Sequence, residues 1–388
     1  MMSYTHDNFP EKVAQMPASP REKLNLLGLD RAGLEAFFSD LGERPYRARQ
    51  ILQWVHQRGV TSYEPMTDLA RKLRQRLAEI TMIQPPTVLK EQVSADGTVK
   101  WLLAVAGGNA VETVFIPEPR RGTLCISSQV GCMLNCTFCS TATQGFNRNL
   151  TCAEIIGQVW LATQALASGR FGDRRITNVV LMGMGEPLLN LNNVAPALAL
   201  LRDDLAYGLA AKRVTVSTAG VVPGIDQLRE CEEIALAVSL HAPNDELRSR
   251  LVPLNRKYPL AELMAACRRF VDHDRRLRSI TFEYTMIDGV NDDPRLARDL
   301  LKLLSGLPCK LNLIPFNPFP GTPFRTSPME RILAFQEVTR SAGLITTIRK
   351  TRGEDIDAAC GQLVGKLMSP SQRRLMVQQQ LARQAVAV

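Results

Sequence analysis

The sequence predicts an α/β protein: an open, partial barrel of six parallel strands, preceded by a helical region and a small antiparallel sheet. Three observations predict it. From about Leu124 to Ala342, short apolar runs alternate with stretches of helical spacing. Before them, residues 87–117 alternate apolar and polar side chains like the strands of hairpins. Before those, residues 23–80 repeat apolar side chains at helical spacing. At 388 residues, with 45% hydrophobic and 22% charged, the chain has the composition of a globular protein. That composition excludes a disordered tail, a collagen and a disulfide-stapled miniprotein. No apolar run approaches the roughly 18 residues of a membrane helix. Met1 to Gln15 holds no apolar signal core, so the chain reads as cytoplasmic, with no membrane partner.

Taken in order, residues 1–22 form a flexible leader containing Pro10, Pro17 and Pro20. Residues 23–85 form a basic helical region. Leu34, Phe37, Phe38 and Leu41 mark one helix, closed by Gly42. Tyr46–Val55 marks a second, and Leu69, Leu73, Leu77 and Ile80 a third, with Arg71, Lys72, Arg74 and Arg76 on its wet faces. Ordinary solvated faces and an RNA-docking surface both fit this pattern, and spacing alone does not choose between them. Residues 86–120 form a small linking sheet. Its strands are Thr87–Val93, Thr98–Ala106 and Ala110–Ile116, joined at Asp96-Gly97 and Gly107-Gly108-Asn109, both hairpin signals.

The body spans residues 121–365. Its candidate strands are Leu124–Ser127, Asn178–Met182, Arg213–Ser217, Ala235–Leu240, Ser279–Met286 and Lys310–Phe316. Between them lie helical stretches such as Cys152–Ser168, Leu191–Leu201, Leu260–Val271, Asp293–Leu303 and Pro328–Ala342. Six strands are too few for a closed eight-stranded barrel, so the barrel is open. Residues 366–388 are a C-terminal helix or tail. In parallel α/β folds, sites form at the C-terminal ends of strands. There lie Gly183-Met184-Gly185-Glu186-Pro187, Ser217-Thr218, Ser239-Leu240-His241 and Asn317-Pro318-Phe319.

Lys and Arg number 47 against 38 Asp and Glu, a net charge of +9, which suits a polyanionic partner without demanding one. Nine cysteines in a chain without an export signal point to metal, redox or catalytic use rather than structural disulfides. Cys132, Cys136 and Cys139 form a C-x3-C-x2-C loop just after the first parallel strand. Thiolates are soft ligands that suit zinc or an iron–sulfur cluster. A structural zinc site closes with four ligands. The local count stops at three, and none of His6, His56, His241 and His273 lies nearby in sequence.

This spacing, with Phe138 before the last cysteine, resembles the signature of radical S-adenosylmethionine (SAM) enzymes. Gly183–Pro187 resembles the loop that holds the methionyl amino group of SAM in that superfamily. Cys125, Cys132–Cys139, Gly183–Pro187, Ser239–Pro243, Asn317–Gly321 and Lys350–Gln362 (KTRGEDIDAACGQ) together are similar to the adenine C2-methyltransferases of 23S ribosomal RNA, which also act on transfer RNA. The likeness runs from about residue 23 to 365. It implies a partial (β/α)6 radical SAM barrel, with a [4Fe–4S] cluster on Cys132, Cys136 and Cys139 and one iron open to SAM. It implies SAM contacts by Gly185, Glu186, Ser217, Ser239, Leu240, His241 and Asn317.

The resemblance also implies the chemistry. Carbon 2 of adenine has no acidic proton, so ordinary methyl transfer fails there. Cys360 first takes a methyl group from SAM. A deoxyadenosyl radical from a second SAM removes a hydrogen from that methyl group, and the resulting radical adds to carbon 2. Glu112 is the base, and Cys125 releases the product through a transient disulfide with Cys360. The partners implied are 23S ribosomal RNA, transfer RNA and an electron-donating reductase system, with the protein a monomer.

On spacing alone the same residues read differently. Glu112 is an outward-facing residue of its strand, Cys125 and Cys360 are buried thiols, and His241 is structural. Cys152, Cys231, Cys267 and Cys309 match no motif and read as core thiols. The resemblance, by contrast, implies a mobile loop at Gly353–Asp357 beside Cys360, since two methyl-transfer geometries must be served in turn. Arg268, Arg269, Arg275, Arg276, Arg278, Arg349, Lys350 and Arg352 are candidate phosphate contacts. Three rivals stay open at this stage. They are an adenine C8-methyltransferase of the same superfamily, a non-catalytic zinc-containing RNA-binding protein, and a radical SAM enzyme acting on a protein or small molecule.

Overall fold

The computed structural model describes residues 23–231, 233–272 and 279–365. The leader at 1–22, the tail at 366–388, and Arg275, Arg276 and Arg278 lie outside the described residues.

The N-terminal region is helical because its apolar residues recur once per turn. Helix α1 (Arg31–Asp40) is capped by the Asp30 side chain, which accepts from Gly33 N, and it buries Leu34 and Phe38. Gly42, at φ 74°, turns the chain out of it. Helix α2 (Arg47–Leu52) runs on through a wider turn over Gln53–Gln57. Helix α3 (Arg71–Ile80) buries Leu73 and Leu77 and leaves Arg71, Lys72 and Arg76 exposed. The region is seated on helix α4 (Cys152–Ala167) and on the end of helix α5 (Leu191–Arg202). Gly28 lies so close to α4 that a Cβ there would stand 2.5 Å from Ala153 N. Trp160 Nε1 donates to Val55 O at 2.9 Å, and Arg31 grips Asp203 with two bonds of 2.6 and 2.8 Å.

One ten-stranded sheet organises the rest. Its strands are β1 (Thr87–Val93), β2 (Val99–Val105), β3 (Asn109–Glu118), β4 (Arg121–Cys125), β5 (Asn178–Leu181), β6 (Val214–Thr218), β7 (Ala235–Ser239), β8 (Ile280–Met286), β9 (Cys309–Pro315) and β10 (Thr346–Ile348). Strands β1 to β4 form an antiparallel meander. From β4 to β10 every neighbouring pair is parallel. The hairpin strands, set apart by the sequence as a linking sheet, thus share one ladder with the barrel. Cys125 in β4 pairs with Val114 on the antiparallel side and Val180 on the parallel side. The six expected parallel strands are present. A seventh, β10, is added at the edge; three residues ahead of Arg349-Lys350 are too few to show a strand period.

The order runs from β10 to β1 without closing, so the barrel is open. Along the parallel strands, buried apolar side chains such as Val216, Val238, Phe282 and Leu313 alternate with Ser217, Ser239 and Glu283, as expected where helices cover one face and a site occupies the other. Helices α6 (Val222–Cys231), α7 (Asp245–Leu251), α8 (Leu260–Asp272), α9 (Pro294–Leu304) and α10 (Met329–Ser341) complete the outer layer. Among the described residues, no helix is long and apolar enough to cross a membrane.

Candidate active site

The strands end together, and their C-terminal ends open into a cleft of about 860 Å³. Cys132, Cys136 and Cys139 line it from the loop that follows β4. That loop is pinned on both sides. Thr137 N donates to Leu251 O of α7 at 3.0 Å, and Ser140 N donates to Gly361 O at 2.7 Å. Burial pushes the Cys132 thiol up to about 12 and raises those of Cys136 and Cys139 as well. A bound metal ion reverses that, because a coordinating thiol loses its proton outright.

Across the cleft lie Gly185, Glu186, Ser217, Ser239, His241 and Asn317. Gly185 sits at φ 96°, and a Cβ there would meet Gln129 Cβ at 2.4 Å, so only glycine fits. Glu186 accepts from Ala219 N at 2.8 Å and Leu188 N at 3.1 Å, yet burial still pushes its carboxyl up to about 7. Burial holds His241 down to about 3, so its ring is neutral. His241 Nδ1 accepts from Thr285 N at 3.0 Å, which places the ring proton on Nε2. That Nε2 is buried and has no hydrogen-bond partner among the described residues. Leu240 is the exception among the expected SAM contacts. It is fully buried away from the cleft lining, with its backbone tied to Glu283 O and Arg248.

A second cavity, of about 460 Å³, adjoins the first. Cys125 lines it together with Arg349 and Cys360. Cys360 and Asn317 line both cavities. Asn317 Nδ2 donates to Cys360 O at 3.2 Å, so this amide positions the cysteine's backbone. The nine cysteines are all free, and no disulfide joins Cys125 to Cys360 in this structure. Burial pushes Cys125 up to about 12 and raises Cys360, while the Arg349 guanidinium pulls both back toward ionisation. Arg349 lines the cavity and faces Glu283 Oε1 at 3.8 Å. Arg269 is also engaged, by two bonds to Asp226, and Arg352 stands 3.7 Å from Asp96. Cys152 and Cys267 are core thiols as expected. Cys231 is exposed and Cys309 only half-buried, because both stand at the edge of an element.

Glu112 lies on β3, outside the lining of both cavities. It is buried, not outward-facing, because the face that period two assigns to solvent is covered by the segment carrying Cys360. Its Oε1 meets Lys100 Nζ at 3.1 Å and its Oε2 accepts from Val364 N at 2.8 Å. Burial raises its carboxyl above the ordinary range, against the pull of Lys100.

Residues 24–83 match the ribosomal RNA large subunit methyltransferase N-terminal domain, and residues 126–301 match the radical SAM superfamily. A dual-specificity RNA methyltransferase RlmN from Marinobacter nauticus is 58% identical over 92% of this chain and 98% of its own length. Another, from Alkalilimnicola ehrlichii, is 57% identical over 93% of this chain and 99% of its own. The chain belongs to the dual-specificity RNA methyltransferase RlmN family. A crystal structure of a radical SAM methyltransferase from Sphaerobacter thermophilus superposes with a TM-score of 0.81 at 45% identity, covering 88% of this chain and 99% of that one.

An RlmN-family enzyme is a radical SAM methyltransferase that uses a [4Fe–4S] cluster and SAM, and the residues present fit both. Three unbonded thiols of one short loop face the same cleft, one fewer than the four ligands that close a structural zinc site. That arrangement suits a cluster, with its several irons, better than one zinc ion. The orphaned His241 Nε2 offers a donor to a ligand in the cleft. Two residues of the RlmN-type site had no signal in the sequence. Glu283 lines the cleft as the lone acid of β8. Arg248, fully buried on α7, ties the ends of β6 and β7 by donating to Ala219 O, Ser239 O and Leu240 O.

Proposed function

We propose that this enzyme methylates carbon 2 of an adenine in 23S ribosomal RNA and in transfer RNA, through a methyl group carried on Cys360. The observation that carries this reading is that Cys360 lines both cavities, the one with the three clustered thiols and the one with Cys125. A carrier that meets SAM on one side and a resolving thiol on the other needs that position.

When bound on Cys132, Cys136 and Cys139, the cluster supplies the electron that splits SAM. Gly185, Glu186, Ser217, Ser239 and His241 hold SAM in the cleft, with Leu240 contributing through its backbone. Asn317 steadies the Cys360 backbone at the junction. The Cys360 thiolate, favoured by Arg349, takes the sulfonium methyl of one SAM. A hydrogen atom of that methyl group would pass to the 5′ carbon of a second, cleaved SAM, which would leave as 5′-deoxyadenosine, and the methylene carbon would bond to carbon 2 of the adenine. Glu112 accepts the carbon 2 proton. The Cys125 thiolate attacks the Cys360 sulfur, the sulfur–carbon bond breaks, and a disulfide forms. A proton completes the new methyl group and the surplus electron passes back to the donor. Thiols of the cytoplasm reset the disulfide. The basic helical region and Lys350 position RNA by its phosphates, and an unpaired adenine enters the second cavity. The enzyme works as a monomer with a separate reductase.

The test is Cys125→Ala. Without the resolving thiol, RNA accumulates on Cys360 as a covalent adduct, visible as a retarded, nuclease-sensitive band on a denaturing gel. Cys125→Ala/Cys360→Ala forms none, and peptide mass spectrometry of the wild type finds methyl on Cys360 alone. Normal turnover by Cys125→Ala without an adduct overturns the reading.

A further inference from the structure

Both Lys100 and Glu112 are buried, and together they hold the segment that carries Cys360 at its two ends. Lys100 Nζ, on β2, donates to Asp357 O at 3.2 Å. Glu112 Oε2, on β3, accepts from Val364 N at 2.8 Å. The two side chains join each other at 3.1 Å. Cys360 lies between the two anchors. The upstream half of the same segment is tied to the β1–β2 turn. Asp96 accepts from Gly353 N at 3.2 Å, and Asp355 accepts from Ser94 Oγ and from Ala95 N, the latter at 3.1 Å. Asp357 itself sits at φ 51°, a left-handed backbone that an aspartate holds only when its surroundings enforce it.

We propose that the Lys100–Glu112 ion pair is a clamp on the methyl-carrier segment, and that protonation of Glu112 opens it. The proposal rests on the reading of Glu112 as base and Cys360 as carrier. While the segment is docked, both carboxylate oxygens of Glu112 are occupied, one by Lys100 and one by Val364 N. The charged groups facing Glu112 are Lys100 on β2 and Asp357 on the segment itself. When the carbon 2 proton moves to Glu112, the bonding pair stays on the adenine ring and the carboxylate becomes neutral. Its ion pair with Lys100 is lost. Lys100 then loses the carboxylate it is paired with while staying buried, and both anchors weaken together. Release of the segment follows the proton transfer and lets the Cys360 sulfur turn toward Cys125. Lys100 is a positioning residue in this scheme: it acts through Glu112 and the loop, without touching substrate.

Hydrogen–deuterium exchange on the anaerobic, cluster-loaded enzyme without RNA tests the clamp. Rates for the peptide covering residues 356–365 are corrected for intrinsic exchange. In the wild type they should rise as pH falls through the Glu112 titration, while the β8 peptide stays protected. Glu112→Gln, which mimics the protonated acid, should exchange this peptide roughly tenfold faster, the factor expected for losing one charge-assisted hydrogen bond, and without pH dependence. Lys100→Met should do the same and Lys100→Arg should restore protection. Exchange that is independent of pH in the wild type, or unchanged in Glu112→Gln, overturns the clamp whatever Glu112 does to RNA. Conversely, if the adduct trapped in Cys125→Ala/Glu112→Gln has lost its carbon 2 proton, the base assignment fails and the exchange result still stands or falls alone.

Discussion

At the scale of single residues, burial sets the chemistry. His56 and His241 are both buried, and burial holds each down to about 3. The folded protein keeps them neutral, whereas the unfolded chain protonates them below the ordinary 6.5. Their contribution to stability is complete above pH 6.5 and is lost as pH falls toward the folded value. At pH 5 each neutral ring should cost roughly 2 kcal/mol. His56, which meets the Tyr207 hydroxyl at 3.3 Å, lies far along the chain from the cleft and is the cleaner probe. Replacing it in His56→Gln should shrink the fall in urea midpoint between pH 7 and pH 5. An undiminished fall would mean that His56 carries charge in the fold. The same physics explains what the sequence displays and what it conceals. Cys132, Cys136 and Cys139 are legible because they are close in sequence. Glu112 and Lys100 are not, because their partners at 357 and 364 are some 250 residues away along the chain.

Among the elements, the parallel strands were readable from their apolar runs, and helices α4, α5, α8, α9 and α10 from their spacing, while the shorter α6 and α7 were not. The edge strand β10 was not, and neither was the merging of the meander with the barrel, since pairing between β3, β4 and β5 leaves no local trace. Helix α7 is the clearest case of a concealed role. Its sequence DELRSRL reads as a charged surface helix, yet Arg248 is fully buried and braces two strand ends. The seating of the helical region rests on Gly28 against α4. Gly28→Ala should force the two apart, at about 1–3 kcal/mol for an overpacked contact. Limited proteolysis should then cut between residues 23 and 86 sooner, with iron content unchanged. Equal cleavage rates would show that the contact has slack.

For the whole molecule, charge and topology matter most. The chain carries a net +9, and α3 presents Arg71, Lys72 and Arg76 to solvent. RNA binding should weaken steeply with salt. Replacing these three by glutamine should flatten the plot of log affinity against log salt by about 0.7 for each phosphate that is no longer neutralised. An unchanged slope would move the RNA footprint off this helix. Topology has a further consequence. Strand order in the ten-stranded sheet repeats chain order from β1 to β10 without a single exchange. As the ribosome delivers the chain, every new strand can join the open edge left by the one before it, and nothing has to be threaded into place. The cysteine loop and the strand ends that line the cleft emerge in that sequence. The stretch bearing Cys360 comes after all of them, so a nascent chain can assemble most of the cleft well before it owns the last sulfur that lines it.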